Sequence, residues 1–130
     1  MIVLDAGILI GLLSPTDAHH TAALNLLAPS SEPFVVHTLT LAEVLVGPAK
    51  SGREGAVRDD LADIGLETAS LGPNEALLLA RTRANHALKM PDACVLATAI
   101  HLQAPLATFD AKLAAAARGL GLLCTEGPWS

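Results

Sequence analysis

Thirteen of the 130 residues are acidic, and four of them stand where a carboxylate is costly. Among the four neighbours on each side, Asp5 has seven apolar residues of eight. Glu43, Asp92 and Asp110 have six each, and none of the other nine acids exceeds five. A carboxylate in such surroundings loses hydration and resists ionisation unless something compensates its charge. The cations nearest in sequence are Lys89 and Lys112. Four acids gathered in one place would repel one another. Mg²⁺ or Mn²⁺ resolves such repulsion, because it prefers oxygen ligands and keeps part of its water shell. The chemistry of such a centre is hydrolysis, including attack of an activated water on a phosphodiester. Each acid alone also has a plainer role. Asp5, Asp92 and Asp110 precede or open helices, where Asp caps free N–H groups, and Thr40-x-x-Glu43 has the form of a capping box.

The elements that would position these acids follow from the hydrophobic runs. Ile2 to Leu4 is a short β-branched run and predicts a buried strand, followed by a helix from Ala6 to Leu13 that stops at Ser14-Pro15. Asp17 opens a second helix through Leu27, ended by Pro29. A strand from Phe34 to His37 leads to a helix from Thr40 to Val46, broken or bent at Gly47-Pro48. Further expectations are a helix from Glu54 to Ile64, a strand from Leu66 to Leu71 and a helix from Pro73 to Leu88 with Pro in its first turn. A buried helix from Pro91 to Leu102 follows. The chain then gives a strand from Pro105 to Phe109, a helix from Ala111 to Leu120 and a strand from Leu122 to Cys124. Alternation of this kind implies an α/β fold with a mostly parallel sheet covered by helices on both faces. Asp5 and Asp110 directly follow strands, at the edge where parallel sheets bind ligands.

Composition sets outer limits. With 52% hydrophobic and 16% charged residues, the chain is no disordered segment. Its length suits a single domain over residues 1–130. The net charge of −5 offers no global attraction for nucleic acid, so any such role must lie in a local site. Lys50, Arg53 and Arg58, and again Arg81, Arg83 and Lys89, form loose basic patches that suit a solvated face or phosphate contacts. Cys94 and Cys124 make neither a disulfide framework nor a zinc site and are expected as buried thiols, in keeping with a cytoplasmic protein. The apolar opening carries Asp5 and lacks a basic leader region, and no stretch reaches the length of a membrane span. His19-His20 is expected on a surface helix, with contact to metal or RNA as the alternative. His37, His86 and His101 are scattered without zinc-ligand spacing.

Four segments taken together resemble a known family: IVLDAGILIGLL, LTLAEVLVGPA, MPDACVLATAI and PLATFDAKLAAAA. In order and spacing they are similar to the acidic motifs of PIN-domain ribonucleases, in particular the VapC toxins of type II toxin–antitoxin systems. The resemblance implies a PIN-like three-layer domain and an endoribonuclease dependent on Mg²⁺ or Mn²⁺. It also implies inhibition by a cognate VapB-like antitoxin and assembly as a homodimer. On this reading Asp5, Asp92 and Asp110 are metal ligands, and Glu43 is a ligand or orients the water. One position departs from the pattern. The family usually carries Ser, Thr or Asn two residues after its first Asp, and here that residue is Gly7. Thr108, in Thr-Phe-Asp, matches a position that is often Thr, and the resemblance implies that it helps hold the site. Two other functions compete: a haloacid-type hydrolase with Asp5 as nucleophile, against which Gly7 counts, and a PIN-like domain that only binds protein or RNA.

Overall fold

The computed structural model describes residues 1–28 and 31–124. Its elements in chain order are β1 (Ile2–Leu4), α1 (Ala6–Leu13), α2 (His20–Leu27), β2 (Phe34–His37), α3 (Thr38–Ala49) and α4 (Glu54–Asp63). They continue with β3 (Leu66–Ala69), α5 (Glu75–His86), α6 (Met90–Leu102), β4 (Leu106–Ala107) and α7 (Ala111–Gly119). The four strands form one sheet in the order β3-β2-β1-β4, and every pairing is parallel.

Alternation along the strands divides the core. Ile2, Leu4, Val36 and Ala107 face a cluster with Ile8 and Leu9 of α1, Leu26 of α2, Val44 of α3 and Leu61 of α4. Val3, Val35 and Leu106 face the other way, against Ala93, Leu96 and Ala99 of α6 and Leu113 and Ala117 of α7. This is the three-layer arrangement that the sequence implies. Each buried Leu, Ile or Val contributes about 1.5–3 kcal/mol. Cys94 and Cys124 are both buried free thiols. No helix among the described residues is long and apolar enough to cross a membrane.

Several boundaries differ from the sequence expectation, each for a local reason. Helix α2 begins at His20, because Asp17 folds into a turn whose side chain accepts the His19 N–H at 2.8 Å. Its expected end at Pro29 lies outside the described residues. Helix α3 starts at Thr38, since the Nδ1 of His37 accepts the Leu39 N–H at 3.1 Å and caps it. The same helix runs through Gly47-Pro48 to Ala49. A proline clashes with the Cβ of the residue before it, and Gly47 has none. Helix α5 starts at Glu75, leaving Pro73 outside the helix. Strands β3 and β4 are shorter than their apolar runs. The expected strand at Leu122 to Cys124 is a single parallel bridge between Leu123 and Leu106.

Sheet order places the functional edge. Helix α1 leaves β1 toward one face, whereas α7 leaves β4 toward the other, and β1 and β4 are neighbours. Where adjacent strands send their chains to opposite faces, a crevice opens at the strand C-termini.

Candidate active site

Asp5 is the first residue past β1, and Asp110 follows β4 by way of Thr108 and Phe109. Both reach the crevice through their caps: Asp5 Oδ1 accepts the Ile8 N–H at 3.0 Å, and Asp110 Oδ1 accepts the Leu113 N–H at 2.8 Å. Glu43 comes from α3 and Asp92 from the first turn of α6. All four carboxylate residues line one cavity of about 350 Å³, together with Gly7, His19, Thr40 and Phe109.

The structure separates the capping roles that the sequence allows. Asp5 and Asp110 are N-caps. Asp92 is not: Lys89 occupies the cap of α6, with Pro91 between them in the opening turn, and no side-chain cap bond forms. Glu43 is no capping-box partner either, because His37 is the cap of α3 and Thr40 lies buried inside the helix. Asp92 and Glu43 therefore face the cavity without a local structural task.

Asp5 is the buried member, 7% exposed, whereas Glu43 and Asp110 are exposed and Asp92 is half-buried. Burial pushes the Asp5 carboxyl above the usual carboxylate range. The hydrogen bonds from Thr108 and Ile8 act against that rise, and the charges of Asp92 and Asp110 add to it. Asp92 is raised chiefly by burial and then by Asp110, with Lys89 and Lys112 acting in the opposite direction. No salt bridge reaches any of the four acids among the described residues.

Thr108 ties the site together. Fully buried, its hydroxyl donates to Asp5 Oδ2 and accepts the Asp110 N–H at 3.0 Å, so one side chain orients two of the acids. The place of the departing residue, Gly7, is also explained: a Cβ built there would meet Asp5 Oδ1 at 3.5 Å, an ordinary contact. A side chain can therefore start from this position without a clash against Asp5. Gly7→Ser is expected to raise the thermal midpoint by a few degrees, since glycine inside a helix costs about 0.5–1 kcal/mol relative to alanine. It should also tighten Mn²⁺ binding. A lower midpoint with unchanged Mn²⁺ affinity, measured by thermal unfolding and calorimetry, would refute this account of position 7.

The donor set is all oxygen and acidic, which suits a hard divalent cation. Among the described residues, no three His, Cys, Asp or Glu side chains stand close enough to hold one ion in common. Glu43 is exposed and Asp92 half-buried, and neither makes a cap bond, whereas the carboxylates of Asp5 and Asp110 are held by theirs.

Three further residues line the cavity, and among them Thr40 is buried inside α3. For His19 the sequence leaves a surface helix or contact with metal or RNA open, and its ring stacks on Phe109 with centroids 4.4 Å apart. Phe109 carries no local signal. His37, which seemed isolated, is a structural clasp: its Nε2 lies 2.8 Å from Glu75 Oε1, and Glu75 also accepts the Leu71 N–H.

The family described as PIN domain matches residues 2–119. No curated protein sequence matches the chain. Among solved structures, a chain of a toxin-antitoxin complex from Klebsiella pneumoniae is 26% identical, with a TM-score of 0.78 over 96% of this chain and 97% of that one. Mycobacterium tuberculosis VapC20, described as a Sarcin-Ricin loop cleaving toxin, is 16% identical, with a TM-score of 0.73 over 98% of this chain and 100% of its own. VapBC2 from Rickettsia felis, bound to a DNA fragment from its promoter, is 19% identical, with a TM-score of 0.64 over 95% and 96% of the two chains.

Proposed function

The chain belongs to the PIN domain family, and from that premise we propose that it is a metal-dependent endoribonuclease, the toxin of a toxin–antitoxin pair. The observation that carries this reading is the gathering of Asp5, Glu43, Asp92 and Asp110, from four separate parts of the chain, around one cavity at the strand C-termini. The Klebsiella pneumoniae complex and VapC20 support the toxin assignment by likeness.

Asp5, Asp92 and Asp110 would hold Mg²⁺ or Mn²⁺, with Glu43 as a further ligand or as the group that orients the attacking water. When bound, the ion neutralises charge at the scissile phosphate and lowers the pKa of a coordinated water. The chain's own contribution is preorganisation. Thr108 and the Ile8 N–H fix Asp5, and Thr108 and the cap of α7 fix Asp110. Lys89 and Lys112 temper the repulsion at Asp92.

The partner is a VapB-like antitoxin, which would place a basic side chain among the acids, since arginine matches carboxylates in a bidentate fork. Homodimer formation is motivated by exposed Ile10, Leu13 and Leu24 in the N-terminal half. A monomeric mass in solution at high concentration would remove the dimer from the proposal.

The test is cleavage of total cellular RNA by the purified chain with Mg²⁺ or Mn²⁺, repeated with chelator. Cleavage that chelator abolishes and added Mn²⁺ restores is the expected result. Cleavage indifferent to chelator would overturn metal dependence. A second reading, a PIN-like domain that only binds, is favoured by Gly7 and by the absence of a pre-gathered ligand set among the described residues. Lack of cleavage under every metal condition would select it.

A further inference from the structure

Aromatic side chains are scarce in this chain: two Phe, one Trp and no Tyr among 130 residues. One of the Phe residues lies at the acidic cavity, immediately before Asp110, with a histidine ring flat upon it. The rings of His19 and Phe109 are 15° from parallel, and both residues line the cavity. His19 is exposed and Phe109 half-buried, so the histidine is the outer member of the stack.

The histidine is held in place by its own segment. The Asp17 carboxylate accepts the His19 N–H at 2.8 Å. The ring of the next residue, His20, lies 2.8 Å from the Gly11 carbonyl through Nδ1. Helix α1 approaches so closely here that a Cβ on Gly11 would stand 3.3 Å from the His19 carbonyl oxygen. The backbone around His19 is thus anchored at three points, although an exposed ring gains little from burial.

We propose that the His19–Phe109 stack is a docking platform for an unpaired nucleobase of the RNA substrate, beside the acid cluster that would act on the adjoining phosphate. This rests on the nuclease reading and adds to it the form of the substrate: a strand with bases free to leave the helix. The cavity is lined by four acids, whose charge a bound ion with Lys89 and Lys112 would offset only in part, so contacts that do not depend on charge would add to the affinity for a strand. Bases stack on flat side chains regardless of sequence, and each such contact is worth about tenfold or more in binding. A duplex keeps its bases inside and cannot use the platform.

The experiment compares two labelled probes in Mg²⁺: oligoadenylate, and an abasic ribose-phosphate oligomer of equal length. Binding is measured in an Asp92→Asn background, so that the probes survive. Oligoadenylate should bind about tenfold or more tightly than the abasic oligomer. His19→Ala and His19→Gln should erase that difference and leave abasic binding unchanged, whereas His19→Tyr should keep it. The thermal midpoint of each variant, expected to move little, separates loss of stacking from loss of fold. Equal weakening of both probes by His19→Ala would show a backbone contact, and no change with either probe would show no contact; both overturn the platform, as does failure to bind either probe. RNA cleavage by the wild-type chain, measured alongside, distinguishes these failures from failure of the nuclease reading.

Discussion

Asp92→Asn is expected to lower RNA cleavage at least about 100-fold while leaving the metal-free protein as stable as wild type or more so. The size follows from the role: losing even an outer support of a metal site costs about 10–100-fold, and a charged ligand replaced by a neutral amide costs more. The direction of the stability change follows from the Asp92 carboxyl, which burial and Asp110 hold above its ordinary value of 3.8. A folded pKa above the unfolded one means that the folded state binds the proton more tightly. The resulting stability is fully present below the unfolded value and is lost as pH rises through the raised folded value. Metal-free wild type therefore loses this contribution on going from acid toward neutral pH, and the asparagine variant does not. The stability advantage of Asp92→Asn should grow with pH across that window and stay flat above it, as read from denaturant unfolding at a series of pH values. Asp92 makes no cap bond to its helix, so the loss to set against this gain is its attraction to the N-terminus of α6, about 0.3–1 kcal/mol, and to Lys89 and Lys112. An active enzyme, or a variant destabilised equally at every pH, would contradict this account.

Thr108→Val is expected to have the second largest effect. Valine nearly matches threonine in shape, but it leaves the Asp110 N–H without its acceptor and the buried Asp5 Oδ2 without its donor. An unsatisfied buried polar group costs about 1–3 kcal/mol. Removing a support of two proposed ligands should lower cleavage by roughly 10–100-fold. Thr108→Ser, which restores the hydroxyl, should recover most of both losses. If Thr108→Val cleaved RNA as wild type does, Thr108 would be a packing residue and nothing more.

Much of this arrangement was legible in the sequence because its signals are local. The ends of α1 follow from Asp5 and from Ser14-Pro15, and β2 from a β-branched run closed by His37. The acids stood out because apolar neighbours make a carboxylate conspicuous, and strands leading into Asp5 and Asp110 placed them at one edge. What escaped depends on contacts between distant residues. Thr108 was legible only through the family resemblance, because it meets Asp5 across 103 positions and no local pattern marks that bond. His19 and Phe109 are far apart in the sequence and stack only in the folded chain. The Thr40-x-x-Glu43 pattern misled for the opposite reason: it is a valid local motif, displaced when His37, with its ring bonded to Glu75, took the cap two residues before Leu39. Gly47-Pro48 misled because a proline's effect depends on its neighbour, and glycine is the neighbour that tolerates a helix there.

On the proposed function the four acids form one centre that takes up a divalent cation, which calorimetric titration of Mn²⁺ into wild type and Asp92→Asn measures without any RNA target. Saturable binding to wild type, weakened by at least about tenfold in the variant, is expected. Equal affinity in the two proteins, or no saturable binding to wild type, would contradict it.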